Sequence, residues 1–142
     1  LARILIAEDD AGVRLLVSRA LGLEGHEVTV AEDGEMALDV LVERDGAFDF
    51  VLSDIRMPCL TGIELAHEIA ASWPHLPVLL MTGYAEQMEA AEDLTAIIEG
   101  VVEKPFSIAE LRREVARILA ERAAQKGDAA DAPTAPHIRR CA

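Results

Sequence analysis

The tightest constraint on this chain is an alternation. Five short runs rich in Val, Ile and Leu occur along it, each followed by a stretch with helical character. The runs are Arg3–Ala7, Glu27–Ala31, Phe48–Leu52, Val78–Met81 and Val101–Glu103. Several are apolar almost throughout, as suits strands of a parallel sheet covered on both faces. Helices are expected over Ala11–Leu23, with Val13, Leu16, Val17 and Ala20 on one face, and over Gly34–Arg44, entered through Asp33. A third spans Gly62–Ser72 and is closed by Pro74. A fourth, within Glu86–Leu94, rests on Ala and Glu propensity with little apolar stripe. The fifth opens on the capping-box pattern Ser107 to Glu110, carries Leu111, Val115, Ile118 and Leu119 at helical spacing, and runs to about Gln125. Five strand–helix units imply right-handed crossovers and an α/β fold built on a five-stranded parallel sheet. Residues 1–125 form that domain, and residues 126–142, rich in Ala, Asp and Pro without periodicity, are expected to be a disordered tail.

Composition narrows the function classes. With 142 residues, 26 Asp and Glu against 13 Lys and Arg, and a formal charge of −13, the chain suits one soluble domain. That charge repels phosphate backbones and anionic lipid, so neither nucleic acid nor a membrane is expected as partner. The longest stretch without a charged side chain, Ile69–Ala85, is 17 residues long and holds Pro74 and Pro77, which argues against a membrane span. The start shows no signal-peptide layout, and its missing Met suggests that the initiator was not included. Cys59 and Cys141 lie far apart without metal-ligand spacing, which favours a reducing, cytoplasmic setting.

In parallel α/β sheets the chemistry gathers at the carboxyl ends of the strands. Here the first strand ends in Glu8-Asp9-Asp10, the third runs to Asp54, the fourth ends in Thr82-Gly83 and the fifth in Lys104-Pro105-Phe106. Several carboxylates, a hydroxyl and an ammonium are thus expected on one rim. Carboxylates so gathered call for a cation, and a hard divalent ion such as Mg²⁺ takes oxygen ligands and keeps waters for a phosphate. The set reads as an Asp-nucleophile phosphoryl-transfer site, in which Asp54 attacks while the metal and Lys104 hold the charge. Each residue alone has a plainer reading. Asp10 is equally suited to cap the first helix, Lys104-Pro105 to form an extended turn, and Thr82 to end a strand. The joint pattern carries the inference.

The blocks ILIAEDD, VLSDIRMP, LLMTG and VVEKPF, with Thr61-Gly62 after Met57-Pro58, resemble the receiver domain of bacterial two-component response regulators from Ala2 to about Arg122. The resemblance implies a doubly wound, CheY-like (flavodoxin-like) sheet of order 2-1-3-4-5 with five helices. It further implies that Asp54 accepts the phosphoryl group and that Asp9 and Asp54 bind Mg²⁺. Arg56 would add its backbone carbonyl, and Glu8 would act through water. Lys104 would pair with the phosphoryl group, Thr82 would follow it on switching, and Pro105 would follow a cis peptide bond. Among stand-alone receivers the motifs are most similar to CpdR-type regulators, although the tail sets this chain apart.

The resemblance also locates departures. Val101 stands where the family often has an aromatic residue that turns inward with the threonine, so Tyr84 is the alternative aromatic of the switch. Arg56 and Tyr84 occupy variable positions flanking the nucleophile, and Cys59 stands where glycine is common. Trp73, at the end of the third helix, suggests packing, and the scattered His26, His67, His75 and His137 give no catalytic triad or phosphohistidine motif. With 17 residues after Gln125, no output domain is expected. The output would pass through protein contacts at the fourth helix, fifth strand and fifth helix, and the phosphoryl group would come from a sensor histidine kinase or a histidine phosphotransferase. Such a chain is a switch rather than an enzyme, with at most slow autodephosphorylation. Two alternatives stand beside this reading: a constitutive adaptor that ignores phosphorylation, and an Asp-nucleophile hydrolase. The hydrolase would want an acid–base Asp where Arg56 stands.

Overall fold

The computed structural model describes residues 1–83, 91 and 93–125. Its elements are β1 (Arg3–Ala7), α1 (Ala11–Leu23), β2 (Glu27–Ala31), α2 (Gly34–Glu43), β3 (Phe50–Asp54), α3 (Gly62–Ser72), β4 (Val78–Thr82), β5 (Gly100–Glu103) and α4 (Ile108–Gln125). The sheet is parallel throughout, in the order β2-β1-β3-β4-β5. The expected fourth helix, Tyr84 and the tail at 126–142 lie largely or wholly outside the described residues, and α4 is the helix expected as the fifth.

Alternation along each strand divides the core in two. Leu5, Val51, Val78 and Leu80 face one side, where they meet Leu38 and Leu41 of α2 and Leu65 and Ile69 of α3. Ile4, Ile6, Phe50, Leu52, Leu79 and Met81 face the other, against Val17 and Leu21 of α1 and Leu111, Val115 and Ile118 of α4. Burial on both sides explains why the central strands β3 and β4 carry no exposed residue.

Helix starts follow their caps. Asp10 Oδ1 accepts from the N–H groups of Gly12 and Val13, and Asp33 Oδ1 from Met36. Thr61 and Glu64 form a full capping box at the head of α3, which the sequence reading did not single out. Ser107 and Glu110 form the expected one on α4.

Some boundaries and faces differ from expectation. β3 covers Phe50–Asp54 rather than Phe48–Leu52, because Ser53 and Asp54 stay in the ladder opposite Leu80 and Met81. Phe48 belongs to the preceding turn, where its N–H donates to the Gly46 carbonyl at 2.7 Å. Arg44 caps α2 rather than continuing it, β4 reaches Thr82, and β5 starts at Gly100. On α1, Leu16 is exposed and Leu21 takes the buried place, because the face in contact with the sheet is centred on Val17. Among the described residues, no helix is long and apolar enough to cross a membrane.

Two close approaches fix the connections around α3. A Cβ at Gly62 would stand 2.1 Å from the Asp54 carbonyl oxygen, so only glycine lets α3 start so close to the end of β3. At the other end of α3, Trp73 is fully buried over Gly46, and its indole N–H donates to Asp45 Oδ1 at 3.3 Å. Gly62→Ala is therefore expected to cost about 1–3 kcal/mol or more in urea melts, since the clashing atoms are backbone. Gly22→Ala, in α1 with nothing within 4 Å of the added Cβ, is expected to leave stability unchanged or raise it by up to about 1 kcal/mol.

Candidate phosphoacceptor and metal site

The parallel register brings the polar strand ends together. Ala7 pairs with Ser53, Asp54 with Met81, and Thr82 with Glu103, so Glu8, Asp54, Thr82 and Lys104 fall side by side on one rim. Beyond the ladder the Lys104 N–H donates to the Thr82 carbonyl at 2.6 Å, which fixes the backbone from which the lysine side chain springs. The Lys104–Pro105 peptide bond is cis, as the resemblance implied.

These residues surround an open cleft of about 520 Å³ lined by Glu8, Asp9, Asp10, Asp54, Arg56, Gly83 and Lys104. Glu8 is fully buried and Asp54 nearly so, while Asp9 is exposed. Glu8, Asp9 and Asp54 each offer a carboxylate oxygen, and the three lie within 4.8 Å of one another. Such a set of hard, anionic oxygens fits a divalent ion such as Mg²⁺. Asp10 serves instead as the cap of α1, and the N–H groups of Val13 and Gly12 hold its carboxyl below the usual range. Arg56 is exposed at the cleft wall and Thr82 is buried at the end of β4.

Lys104 divides its charge unequally. Its Nζ lies 2.8 Å from Glu8 Oε1 and 3.4 Å from Asp54 Oδ1. Burial pushes the Asp54 carboxyl up, and the Lys104 ammonium pulls it back. Burial likewise pushes Glu8 up to about 6 against the hydrogen bond from Lys104. The lysine itself is raised, because its bonds to Glu8 and attraction to Asp54 outweigh the burial that opposes them. One ammonium among three carboxylates leaves room for a second, divalent charge.

Of the other residues singled out in the sequence, Cys59 is exposed in the loop from β3 to α3 at φ +66°, a left-handed conformation that glycine adopts without strain. Val101 is half-buried and packs on the core shared with α2 and α3. Arg14 escaped the sequence reading. Its Nη1 donates to the Glu8 carbonyl at 2.8 Å, and an arginine six residues on matches no capping or helical spacing that would have marked it.

A doubly wound parallel sheet with an acidic rim and a facing lysine defines the class: a CheY-like domain with a cation-ready carboxylate site. Residues 4–116 match the family model of the response regulator receiver domain, and the chain belongs to that family. It is similar to the response regulator protein FleR of Pseudomonas aeruginosa, 40% identical over 82% of this chain and 24% of that one. It is also similar to the regulatory protein AtoC of Escherichia coli, 40% identical over 82% of this chain and 25% of that one. The chain thus spans about a quarter of the length of these curated relatives. Among solved structures, TrrA of Thermotoga maritima in complex with Mg²⁺–BeF is 31% identical with a TM-score of 0.74, covering 83% of this chain and 99% of that one. The chain is a receiver domain of the two-component signalling class.

The raised Glu8 carboxyl has a sign that can be checked. Without metal, the fold favours the protonated form. The stability it contributes is complete below the unfolded value near 4.5 and is lost as pH rises through about 6. Glu8→Gln mimics the protonated form at every pH. Relative to wild type, this variant is expected to gain on the order of 2 kcal/mol between about pH 4 and about pH 7.5. Urea melts of both proteins in chelator check it.

Proposed function

We propose that this domain is a phospho-accepting switch in which Asp54 is the acceptor. The observation that carries this reading is the placement of Asp54, nearly buried at the end of β3, beside Lys104 and within the three-carboxylate cluster. An Asp54 carboxylate oxygen would form the new O–P bond as the P–N bond of a donor phosphohistidine breaks. The imidazole leaves with its electron pair and takes up a proton. Asp9, Asp54, the Arg56 backbone carbonyl and, through water, Glu8 would hold Mg²⁺, which supplies charge neutralisation at the phosphoryl oxygens. Lys104 is the group of this chain that can follow the phosphoryl charge. Its tighter partner is Glu8, with Asp54 farther away, so the lysine would turn from a carboxylate to the phosphoryl oxygen. Thr82, at the end of the neighbouring strand, is the hydroxyl assigned to accompany it.

The donor is a sensor histidine kinase or a histidine phosphotransferase, in the cytoplasm. The output passes through protein contacts on the face expected of the fourth helix, β5 and α4, with no DNA-binding part assigned to residues 1–125. Tyr84 is the aromatic proposed to signal along that face, since Val101 has no ring to turn. On this reading the protein is not an enzyme, and autodephosphorylation is at most slow.

The test is incubation with Mg²⁺ and a small phosphodonor, read by intact mass. The expected result is a stable gain of about 80 Da, one phosphoryl group, absent with chelator and absent in Asp54→Asn. No adduct in wild type would favour the constitutive adaptor, and many turnovers of donor per protein would favour a hydrolase. Comparing partner binding of Tyr84→Ala and wild type, with and without a phosphoryl mimic, checks the signalling aromatic. An unchanged difference removes Tyr84 from the switch.

A further inference from the structure

Glu8 stands one residue beyond the last paired position of β1, yet it is fully buried. Its polar groups must therefore all find partners. Its N–H donates to the Ala31 carbonyl at 3.1 Å. Its Oε1 accepts from Lys104 at 2.8 Å and its Oε2 from the Asp10 N–H at 3.0 Å. Its carbonyl accepts from Arg14 Nη1 at 2.8 Å. The backbone N–H of Arg14 meanwhile donates to the Asp10 carbonyl at 2.9 Å, the first bond of α1.

One residue thus grips both neighbours of Asp9. Asp9 is the exposed member of the carboxylate cluster, on a turn where nothing buries its side chain. Its direction is therefore set by the peptide units on either side of it: the Glu8–Asp9 unit is held at its carbonyl by the Arg14 side chain, and the Asp9–Asp10 unit at its N–H by Glu8 Oε2. We infer that Arg14 is a positioning residue for the cation site: through its side-chain bond to the Glu8 carbonyl it fixes the peptide that presents Asp9, and so sets the affinity for a divalent ion. The inference rests on the metal-binding reading given above.

Charge and positioning predict opposite signs. If Arg14 contributed charge alone, removing it would take a cation away from a cation site and tighten binding. If it positions Asp9, removing it weakens binding despite the lost repulsion. Outer-shell groups that orient metal ligands are commonly worth ten- to a hundredfold in affinity.

The experiment is calorimetric titration of Mg²⁺ into the full chain, with folding of each variant verified by circular dichroism. Arg14→Met is expected to weaken Mg²⁺ binding by about tenfold, and Arg14→Lys, which keeps a donor, to bind within about threefold of wild type. Binding by Arg14→Met equal to or tighter than wild type overturns the inference. Should that variant fail to fold, Arg14→Gln decides in the same way: weaker binding supports positioning, and equal or tighter binding overturns it. A wild-type chain that binds no Mg²⁺ would instead overturn the metal reading itself, so the two failures are distinguishable.

Discussion

Mutual repulsion of carboxylates held on one rim is the constraint around which this domain is organised. A parallel sheet aligns its strand ends, and the register here places Glu8 and Asp54 next to each other with Asp9 close by. Fixed acids so close together need compensation, and the protein itself supplies one cation. Lys104 reaches in to bond Glu8 and to approach Asp54, while burial raises both carboxyls and the lysine pulls them back. A divalent cation held by these acids would leave the ammonium for another anion. The competence of the site thus lies in how imperfectly it is neutralised.

The fold was largely legible because its signals were redundant. Apolar runs, caps and breakers all pointed to the same elements, and the bounds of β1, β2, α1 and α3 agree with the spacing. Failures occurred where tertiary context overrode local pattern. Hydropathy alone closed the third run at Leu52, but pairing with β4 keeps Ser53 and the expected strand end, Asp54, in the ladder. Leu16 looks like a core residue by hydropathy, but the helix turns Leu21 inward instead. Polarity cannot report which neighbour a backbone will pair with.

The site was legible in a different way. The acids and the lysine are chemically conspicuous in an otherwise apolar setting, so their positions at strand ends drew notice. The scaffold behind them was not conspicuous. Arg14 acts through a backbone carbonyl, and carbonyls look alike in every sequence. Gly62 acts through an absent atom, and its necessity appears only when the Asp54 carbonyl is seen to pass beneath it. The hydroxyl of Thr61 likewise became meaningful only once Glu64 was seen to return its hydrogen bond.

The sole tryptophan has a practical bearing on how this molecule can be watched. Trp73 closes α3 at the end opposite the one where Gly62 meets the acidic rim, sealed over Gly46 in the wall of the core. Its indole is dry, and its polar contact is with Asp45 in a turn remote from the strand ends that bear the acids. Intrinsic fluorescence is therefore a reporter of the whole core coming apart, and nearly blind to what docks at the rim. An optical signal for the rim would have to be installed there, and exposed Cys59, in the loop leaving Asp54, offers a thiol on which to place it.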